Sequence, residues 1–200
     1  RLYRQVETWQ PMRASEAGEV VLAEGFDSAD DAYWQTYGGR LSAGIEDSAL
    51  VMRINDTGAT AYSAGALYFD NFDVQAQARA IEGPIDNGFG LVFRLQEPVE
   101  ACDMPLLVLC ALADVDIINV GLRLLFPAQV DTPSGYYMFL ISSDGYYSVW
   151  KAQDVFGTTQ AQMVSTWIAS DAIVQGLDAV NTLRVRAVGD RFRFFINGQA

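Results

Sequence analysis

The sequence predicts an all-β protein, an antiparallel two-sheet β-sandwich or jelly roll with one apolar insertion. The first observation is a series of short runs in which apolar and polar residues alternate, separated by clusters of Gly, Asp, Asn and Ser. The second is the stretch Tyr136–Lys151, where two such runs flank Asp144-Gly145, a dipeptide that favours a tight hairpin turn. No long amphipathic pattern of helical period accompanies these runs. Short strands at this spacing are typical of sandwiches and jelly rolls.

The predicted strands follow one another from Glu19 onwards. Early candidates are short runs rich in strand-forming residues, at 20–22, 50–54 and 66–69. Later candidates alternate with a period of two, which predicts one buried and one solvated face. They lie at 72–80, 89–95, the two runs of the hairpin, 183–187 and 192–196.

The domain boundaries follow from composition. Residues 1–18 lack a clear period and are predicted to be a leader or linker. Residues 19–200 are predicted to form one jelly-roll domain, since this length suits a single large domain. Within it, residues 96–134 hold four prolines and a dense apolar patch, and we interpret them as an insertion. The insertion could form a short helix from Leu106 or a strand pair within Val115–Leu125, and periodicity does not choose between them.

Composition excludes several classes of function. The chain contains no histidine, which excludes imidazole bases, His-containing triads and His-ligated metals. Its two cysteines are too few for a Cys-rich zinc site. A net charge of −12 and a pI near 4.2 make nucleic acid an unfavourable partner, because such a surface repels phosphate backbones. The same charge favours hard cations such as calcium.

The hairpin allows a prediction of register. If its turn has two residues, Phe139 lies opposite Trp150 and Leu140 lies opposite Val149. Phe139 and Trp150 would then share one face of the sheet, and Tyr147 would lie on the other face with Val149. At least part of this aromatic set must therefore be core.

Four ordered segments carry a resemblance to a known family. They are Gly83-Pro-x-Asp86-Asn87-x-Phe89-Gly90-Leu-Val-Phe-Arg94, Tyr137-x-Phe139-Leu-Ile-Ser-Ser-Asp144-Gly145-Tyr-Tyr147, Asn181-x-Leu-Arg-Val and Phe195-Ile-Asn197-Gly198. They resemble bacterial concanavalin A-like, laminin-G-like jelly-roll domains, including relatives of the 3-keto-disaccharide hydrolase domain. The resemblance covers about residues 20–95 and 135–200. It implies an extracytoplasmic protein, exported or anchored in the membrane through a segment before Arg1, and it is specific for the fold rather than the function.

Two departures from this family affect the interpretation. Such domains usually pass from the strand near Arg94 to the tyrosine hairpin in a few residues, where this chain has residues 96–134. They also usually continue past the Asn-Gly turn into further strands, whereas this sequence stops at Ala200. We expect either a fragment or a sandwich whose strands are completed by another chain, because an unpaired edge strand recruits a partner.

Aromatic side chains and one polar turn are the candidate ligand-binding residues. Sugars stack on aromatic faces, and Asp86-Asn87 could offer a carboxylate and an amide to a sugar or to calcium. The candidates are Trp34, Tyr37, Asp86, Asn87, Tyr146 and Trp150. The alternatives are that the aromatic residues pack in the core and that Asn87-Gly88 forms only a turn.

The acidic residues give weak metal and catalytic signals. Asp27, Asp30 and Asp31 could bind calcium but do not match the pattern of a calcium loop, so a solvated loop is the alternative. We expect either no cofactor or calcium. Asp114 and Asp116 have the two-residue spacing that places carboxylates on one strand face, but no third partner accompanies them. We therefore predict no catalytic residue.

The insertion and the last strand supply candidate partner-docking residues. These are apolar, and they are Leu106, Leu107, Leu109, Leu124, Phe126 and Phe195. Cys102 and Cys110 could form a disulfide in an exported protein, or they could be buried thiols.

A second turn predicts an unusual charge arrangement. Gly189-Asp190 would place Arg186 opposite Arg193, and a like-charge pair is destabilising unless something screens it. Either a local acidic partner is present, or the pair marks an anionic ligand or an acidic neighbouring subunit.

The sequence therefore favours a non-catalytic extracytoplasmic binding module whose ligand is a glycan or a protein. One alternative is a structural subunit of a larger envelope assembly, docked through residues 96–134 and the open edge after Phe195. A second alternative is a glycoside-active enzyme of the jelly-roll type.

Overall fold

The structure is a computed structural model of the 200-residue chain, and it describes residues 16, 18–27, 34–64, 69–96, 135–155 and 158–200. The described residues form ten strands and no helix, so the all-β prediction is confirmed. In chain order the strands are β1 Leu41–Glu46, β2 Ala49–Ile54, β3 Phe72–Ala78, β4 Gly88–Gln96, β5 Gly135–Ser142, β6 Tyr146–Val155, β7 Thr158–Met163, β8 Ile168–Ala169, β9 Asn181–Val188 and β10 Arg191–Ile196. Within these ranges, no helix is long and apolar enough to cross a membrane.

The strands form three sheets, and the chain divides into two compact units. A two-stranded sheet pairs β1 with β2, a three-stranded sheet has the order β10-β9-β3, and the largest sheet has the order β4-β5-β6-β7 with β8 also paired to β6. Unit 1 covers Arg1–Gln75, Arg184–Phe195 and Ala200, and unit 2 covers Ala76–Leu183 and Ile196–Gln199. Several antiparallel sheets without helices are consistent with a β-sandwich.

The large sheet of unit 2 carries buried residues on both faces. Phe139 and Ile141 point to one face of β5 and are almost fully buried. Met138, on the opposite face of the same strand, and Ala152 of β6 are buried as well. Successive side chains on a strand alternate between faces, so this sheet contributes core on each side. The tyrosine hairpin is therefore a central part of the hydrophobic core.

The predicted register of this hairpin is wrong by one residue. The structure pairs Phe139 with Val149 and Met138 with Trp150. The loop between the strands has three residues: Gly145, and not Asp144, has a positive φ (97°), whereas a two-residue turn would need a positive φ at both, and the Gly145 amide donates a hydrogen bond to the Ser142 carbonyl. Phe139 therefore shares a face with Val149, and Trp150 lies on the other face.

A tryptophan between β7 and β8 packs across the second face of the large sheet. Were Gly88 an alanine, its Cβ would lie 3.0 Å from Cη2 of Trp167 and 3.3 Å from Cδ1 of Leu140. Ser148, two positions from Trp150 on β6, is fully buried, and its hydroxyl donates to the Ser165 carbonyl at 2.8 Å. Small side chains on the sheet thus make room for the indole ring of Trp167.

The sheet also requires a glycine in β4. A Cβ at Gly90 would collide with the carbonyl oxygen of Phe139 in the neighbouring strand and would approach the Leu140 Cα to 3.1 Å. Both are backbone atoms, so no side-chain rotation could relieve the contact. Gly90 allows β4 and β5 to approach closely.

Strand β9, whose residues from Arg184 onwards belong to unit 1, has the burial pattern of a half-buried strand. Val185 and Ala187 are buried, whereas Arg186 and Val188 on the opposite face are exposed. This is the alternation that the sequence predicts for 183–187. The strand predicted at 192–196 is confirmed by β10, and the one predicted at 72–80 is confirmed by β3 as far as Ala78. The charged face of β9 consequently faces solvent.

Two further strand predictions have different outcomes. No strand forms at Val20–Leu22, and this prediction is wrong. All three side chains are exposed, so neither a hydrogen-bonded neighbour nor burial holds the segment extended. The run at 66–69 and residues 97–134 of the predicted insertion lie almost wholly outside the described residues.

Candidate binding surfaces

Three loops of unit 2 meet, and one of them is the turn of the β5–β6 hairpin. We call the surface that they form the loop end (residues 79–87, 143–145 and 170–180). Backbone amides donate to carbonyls across the loops at 2.8–3.1 Å: Asp144 to Ile85, Gly176 to Ser143, Ser170 to Gly145 and Asp178 to Ala80. These bonds tie residues that are between 25 and 98 positions apart in the sequence. The loop end is therefore a defined surface of the fold.

A buried amide fixes the last of these loops. Asn181 is 1% exposed, and its Oδ1 accepts hydrogen bonds from the Val174 amide at 2.9 Å and from Nδ2 of Asn197 at 2.8 Å. Its Nδ2 donates to the Val174 carbonyl at 2.9 Å. Asn197 in turn donates to the Ala172 carbonyl at 2.8 Å. Two asparagines at the start of β9 and after β10 thus hold residues 172–174 in place.

Aliphatic side chains cover much of the loop end. Five of them are between 42% and 55% exposed, and they are Ile81, Ile85, Val174, Leu177 and Val180. Tyr146 and Ile168, at the adjoining ends of β6 and β8, are each 41% exposed. Scattered exposed apolar residues are normal, but a set concentrated on three hydrogen-bonded loops indicates an interaction surface.

The charges on the same loops are mostly negative. The acidic residues are Glu82, Asp86, Asp144, Asp171 and Asp178, and the basic residue is Arg79. Nη1 of Arg79 lies 4.0 Å from the carboxylate of Asp178, and both side chains are more than half exposed, so this ion pair is weak. The loop end therefore presents apolar side chains surrounded by carboxylates.

Three of the six predicted ligand-binding residues come together here. Asp86 and Asn87 are exposed in a turn that is hydrogen bonded to the β5–β6 turn through Ile85, and Tyr146 follows that second turn. Trp150 lies further along β6 on the same side as Tyr146, but it is half-buried, and its Nε1 is buried without a hydrogen-bond partner in the described part of the chain. It is not an open stacking platform.

The other two predicted ligand-binding residues belong to unit 1. The indole of Trp34 packs on Phe26 with the ring centres 5.6 Å apart. The Tyr37 hydroxyl donates to the Tyr62 carbonyl at 3.0 Å, and its backbone forms a bridge with Ala43. Both side chains are used in local packing.

A second surface lies on the β9–β10 hairpin of unit 1. Arg186, Val188, Arg191 and Arg193 line a depression of about 220 Å³, which we call the arginine depression. The neighbouring Arg184 is engaged elsewhere, since its Nε and Nη2 donate to the two carboxylate oxygens of Asp73 at 2.6 Å each. These hydrogen bonds, with a smaller effect of Arg186, lower the pKa of Asp73.

Phe195 is the one predicted docking residue that the structure describes. It is half-buried, and the guanidinium of Arg184 lies 5.2 Å from the centre of its ring. Beyond it, Ile196 and Gln199 exchange two backbone hydrogen bonds of 2.9 Å around Asn197-Gly198, so the chain reverses after β10.

Several other predicted sites lie outside the described residues. They are Asp30 and Asp31, Cys102 and Cys110, Asp114 and Asp116, and the docking candidates Leu106, Leu107, Leu109, Leu124 and Phe126. Asp27 is described and exposed. Among the residues that the structure describes, no group of three or more His, Cys, Asp or Glu side chains could hold a metal ion.

Sequence reasoning missed the aliphatic surface of the loop end. Residues such as Val174 and Leu177 look like core residues in the sequence, and their exposure depends on how distant loops meet. One signal was available: the apolar residues in 172–180 follow no period of two and are interrupted by Gly and Asp, which argues against a buried strand.

No family model, no curated protein and no solved structure matches this chain.

Proposed function

We propose that this chain is a non-catalytic binding module of the β-sandwich type and that its ligand is a protein, which docks on the loop end. The observation that carries the proposal is the group of five aliphatic side chains, 42–55% exposed, on loops that backbone hydrogen bonds hold in place. Binding surfaces on β-sandwiches commonly consist of loops positioned by a rigid scaffold.

The chemistry of the loop end favours a protein over a sugar. Protein interfaces bury apolar side chains at their centre, and aliphatic groups contribute by leaving water. A glycan platform instead needs flat aromatic faces beside hydrogen-bonding groups, and Tyr146 is the exposed aromatic residue that the described part of this surface offers.

The charge of the loop end defines the partner further. Carboxylates of Glu82, Asp86 and Asp171 are exposed on the same loops as the aliphatic residues. A partner with an apolar centre and a rim of Lys or Arg would be complementary, and this rim would mainly raise the association rate.

The fold and the location belong to the same proposal. A concanavalin A-like jelly roll in an exported or membrane-anchored protein is supported by the four ordered sequence segments that resemble this family and by the antiparallel all-β architecture. A binding role is the simplest use of such a domain when no catalytic set is evident in its sequence.

Site-specific crosslinking in the source cells tests the docking surface. A photoreactive benzophenone amino acid is placed at Ile85 and, separately, at Val174. The matched control is the same amino acid at Met52, an exposed apolar position of β2 in unit 1. We expect both loop-end positions to crosslink to the same protein and Met52 not to do so.

Binding of that purified protein then completes the test. Leu177→Asp places a charge among the aliphatic side chains of the loop end and is expected to weaken binding at least 100-fold, as hot-spot changes do. Met52→Asp is the control and should leave the affinity within about threefold. Equal crosslinking at all three positions, or an unchanged affinity of the Leu177→Asp variant, would contradict the proposal.

A glycan remains the second candidate ligand, because the structure brings Asp86, Asn87 and Tyr146 together. One aromatic face beside a carboxylate and an amide is the minimum arrangement for one sugar ring. A glycan array with the Tyr146→Ala and Asn87→Ala variants tests this candidate. Binding that both variants abolish would replace the protein ligand by a glycan.

A further inference from the structure

The arginine depression concentrates positive charge on a chain whose net charge is −12. Three of the chain's thirteen basic residues, Arg186, Arg191 and Arg193, line it together with Val188. All three arginines are exposed. Their grouping requires a physical reason, because like charges on neighbouring strands repel each other.

The hairpin geometry explains how the arginines converge. Strand β9 ends at Val188 and β10 begins at Arg191, so the turn has two residues, as the sequence predicts. Counting outwards from this turn places Arg186 opposite Arg193. The same count places Arg184 opposite Phe195, which agrees with the 5.2 Å between this guanidinium and the phenyl ring.

Among the described residues, an acidic partner neutralises Arg184 but not the arginines of the depression. Both carboxylate oxygens of Asp73 accept hydrogen bonds from Arg184, which is a complete bidentate pair. Within the described ranges, no carboxylate lies within salt-bridge distance of Arg186, Arg191 or Arg193. Asp73 acts on Arg186 only through its electric field. Among the described residues, the three guanidinium groups of the depression therefore have no carboxylate within salt-bridge distance.

We infer that the arginine depression binds a phosphate- or sulfate-type oxyanion. A single carboxylate satisfies a single guanidinium, as Asp73 does with Arg184. A phosphate or sulfate group offers at least three terminal oxygens, and several arginine forks can share them. A volume of about 220 Å³ is below that of sites for drug-sized molecules, so it suits one compact anionic group.

The anionic group could be part of a soluble molecule or of a lipid headgroup, since both present the same oxygens. A nucleic acid is a poor source, because its many further phosphates would meet the negative charge of the rest of the chain. This surface belongs to unit 1, whereas the proposed protein-docking surface belongs to unit 2, so the two inferences are independent.

Calorimetric titration of the full 200-residue chain with inorganic tripolyphosphate at low salt tests the inference. The double variant Arg186→Gln/Arg193→Gln is expected to weaken binding by about 100-fold, since each charged hydrogen-bonding group contributes roughly tenfold. Arg53→Gln is the matched control, because Arg53 is an exposed strand arginine already paired with Glu46 at 2.5 and 2.8 Å. This control should bind like the unaltered chain.

Two further measurements separate the sources and the chemistry. Sedimentation with phosphatidylcholine vesicles that contain phosphatidylglycerol, compared with vesicles of phosphatidylcholine alone, measures binding to an anionic lipid headgroup. Binding to the phosphate of these vesicles or to free tripolyphosphate supports the inference. Arg193→Lys keeps the charge but lacks the planar fork, and is expected to weaken binding about fivefold. Circular dichroism establishes that each variant is folded.

Three results would overturn the inference. The first is binding to neither tripolyphosphate nor anionic vesicles. The second is an equal affinity of the folded double variant and the Arg53→Gln control. The third is displacement of tripolyphosphate by polyglutamate at equal charge concentration, which would assign the depression to acidic proteins instead.

Discussion

Replacement of Asn181 by alanine is the sharpest test of how the loop end is held in place. Three hydrogen bonds of 2.8–2.9 Å are lost, two to the backbone of Val174 and one to the side chain of Asn197. Nδ2 of Asn181 also lies 3.4 Å from the Ala179 carbonyl oxygen, which is longer than the usual N–H···O hydrogen bond, so this contact adds nothing to the expected loss. At about 1 kcal/mol for each hydrogen bond, Asn181→Ala should lower the free energy of unfolding by about 3 kcal/mol.

Urea unfolding followed by tryptophan fluorescence measures this change. Asn55→Ala is the control, because Asn55 is exposed and its replacement should alter stability by less than about 0.5 kcal/mol. Hydrogen exchange at the Val174 amide gives a local readout, since this amide loses its acceptor in the Asn181→Ala variant. If Asn181→Ala changes stability no more than the control and the Val174 amide keeps its protection, the reasoning fails.

Three further predictions concern the sheets. Gly90→Ala should destabilise the protein by about 3 kcal/mol because its Cβ would collide with the backbone of β5. A Cβ at Gly44 would have nothing within 4 Å, so Gly44→Ala should stabilise the protein by about 0.5 kcal/mol. Thermal unfolding that gives the two variants equal stability would refute this prediction. Asp73→Asn should lower the free energy of unfolding above pH 4. The difference in stability between the variant and the unaltered chain should vanish as pH falls through the depressed pKa of Asp73, because protonation breaks the pair with Arg184. A difference in stability that persists at pH 2 would contradict this prediction. Trp167→Ala should lower the free energy of unfolding, measured by chemical denaturation, by about 2 kcal/mol, which is less than the loss at a fully buried aromatic residue. An unchanged free energy of unfolding would argue against the packing of Trp167 across the sheet.

The strands that could be predicted are those whose two faces differ. In β9, buried Leu183, Val185 and Ala187 alternate with Arg184 and Arg186, which are not buried, so hydrophobic period and burial agree over these residues. The run at Val20–Leu22 has the composition of a strand but is three residues long. Composition alone does not supply a hydrogen-bonded neighbour, and this run remains outside the sheets.

The register of the tyrosine hairpin could not be obtained from the sequence, because it depends on one backbone angle. Ser143-Asp144-Gly145 is compatible with a two-residue turn at Asp144-Gly145 and with a three-residue loop. A two-residue type I′ turn requires a positive φ at both Asp144 and Gly145. Of these two residues only Gly145 has one, at 97°, which corresponds to the longer loop. A difference of one residue in the register places Trp150 on the opposite face of the sheet from Phe139, so the two rings do not share a face as predicted.

The two candidate surfaces were predictable to different degrees for the same reason. The convergence of Arg186 and Arg193 depends on a local turn of two residues, which the sequence indicates directly. The loop end depends on hydrogen bonds between distant loops, such as that from Asp178 to Ala80, which lie 98 positions apart. Sequence periodicity contains no information on such contacts, and the irregular pattern of residues 172–180 argues against a buried strand without showing which surface their aliphatic side chains form.

The physical difference between the two surfaces gives one experiment that separates them. Oxyanion binding by exposed guanidinium groups depends on charge, so it should weaken more than tenfold as ionic strength rises from 0.05 to 0.5 M, about a threefold shortening of the Debye length. Docking on the loop end depends chiefly on the burial of aliphatic side chains, which salt does not screen. Its affinity should change by only a fewfold over the same range. A protein partner whose binding follows the steep salt dependence and is also weakened by Arg186→Gln/Arg193→Gln, but not by Leu177→Asp, would therefore be docked on the arginine depression and not on the loop end.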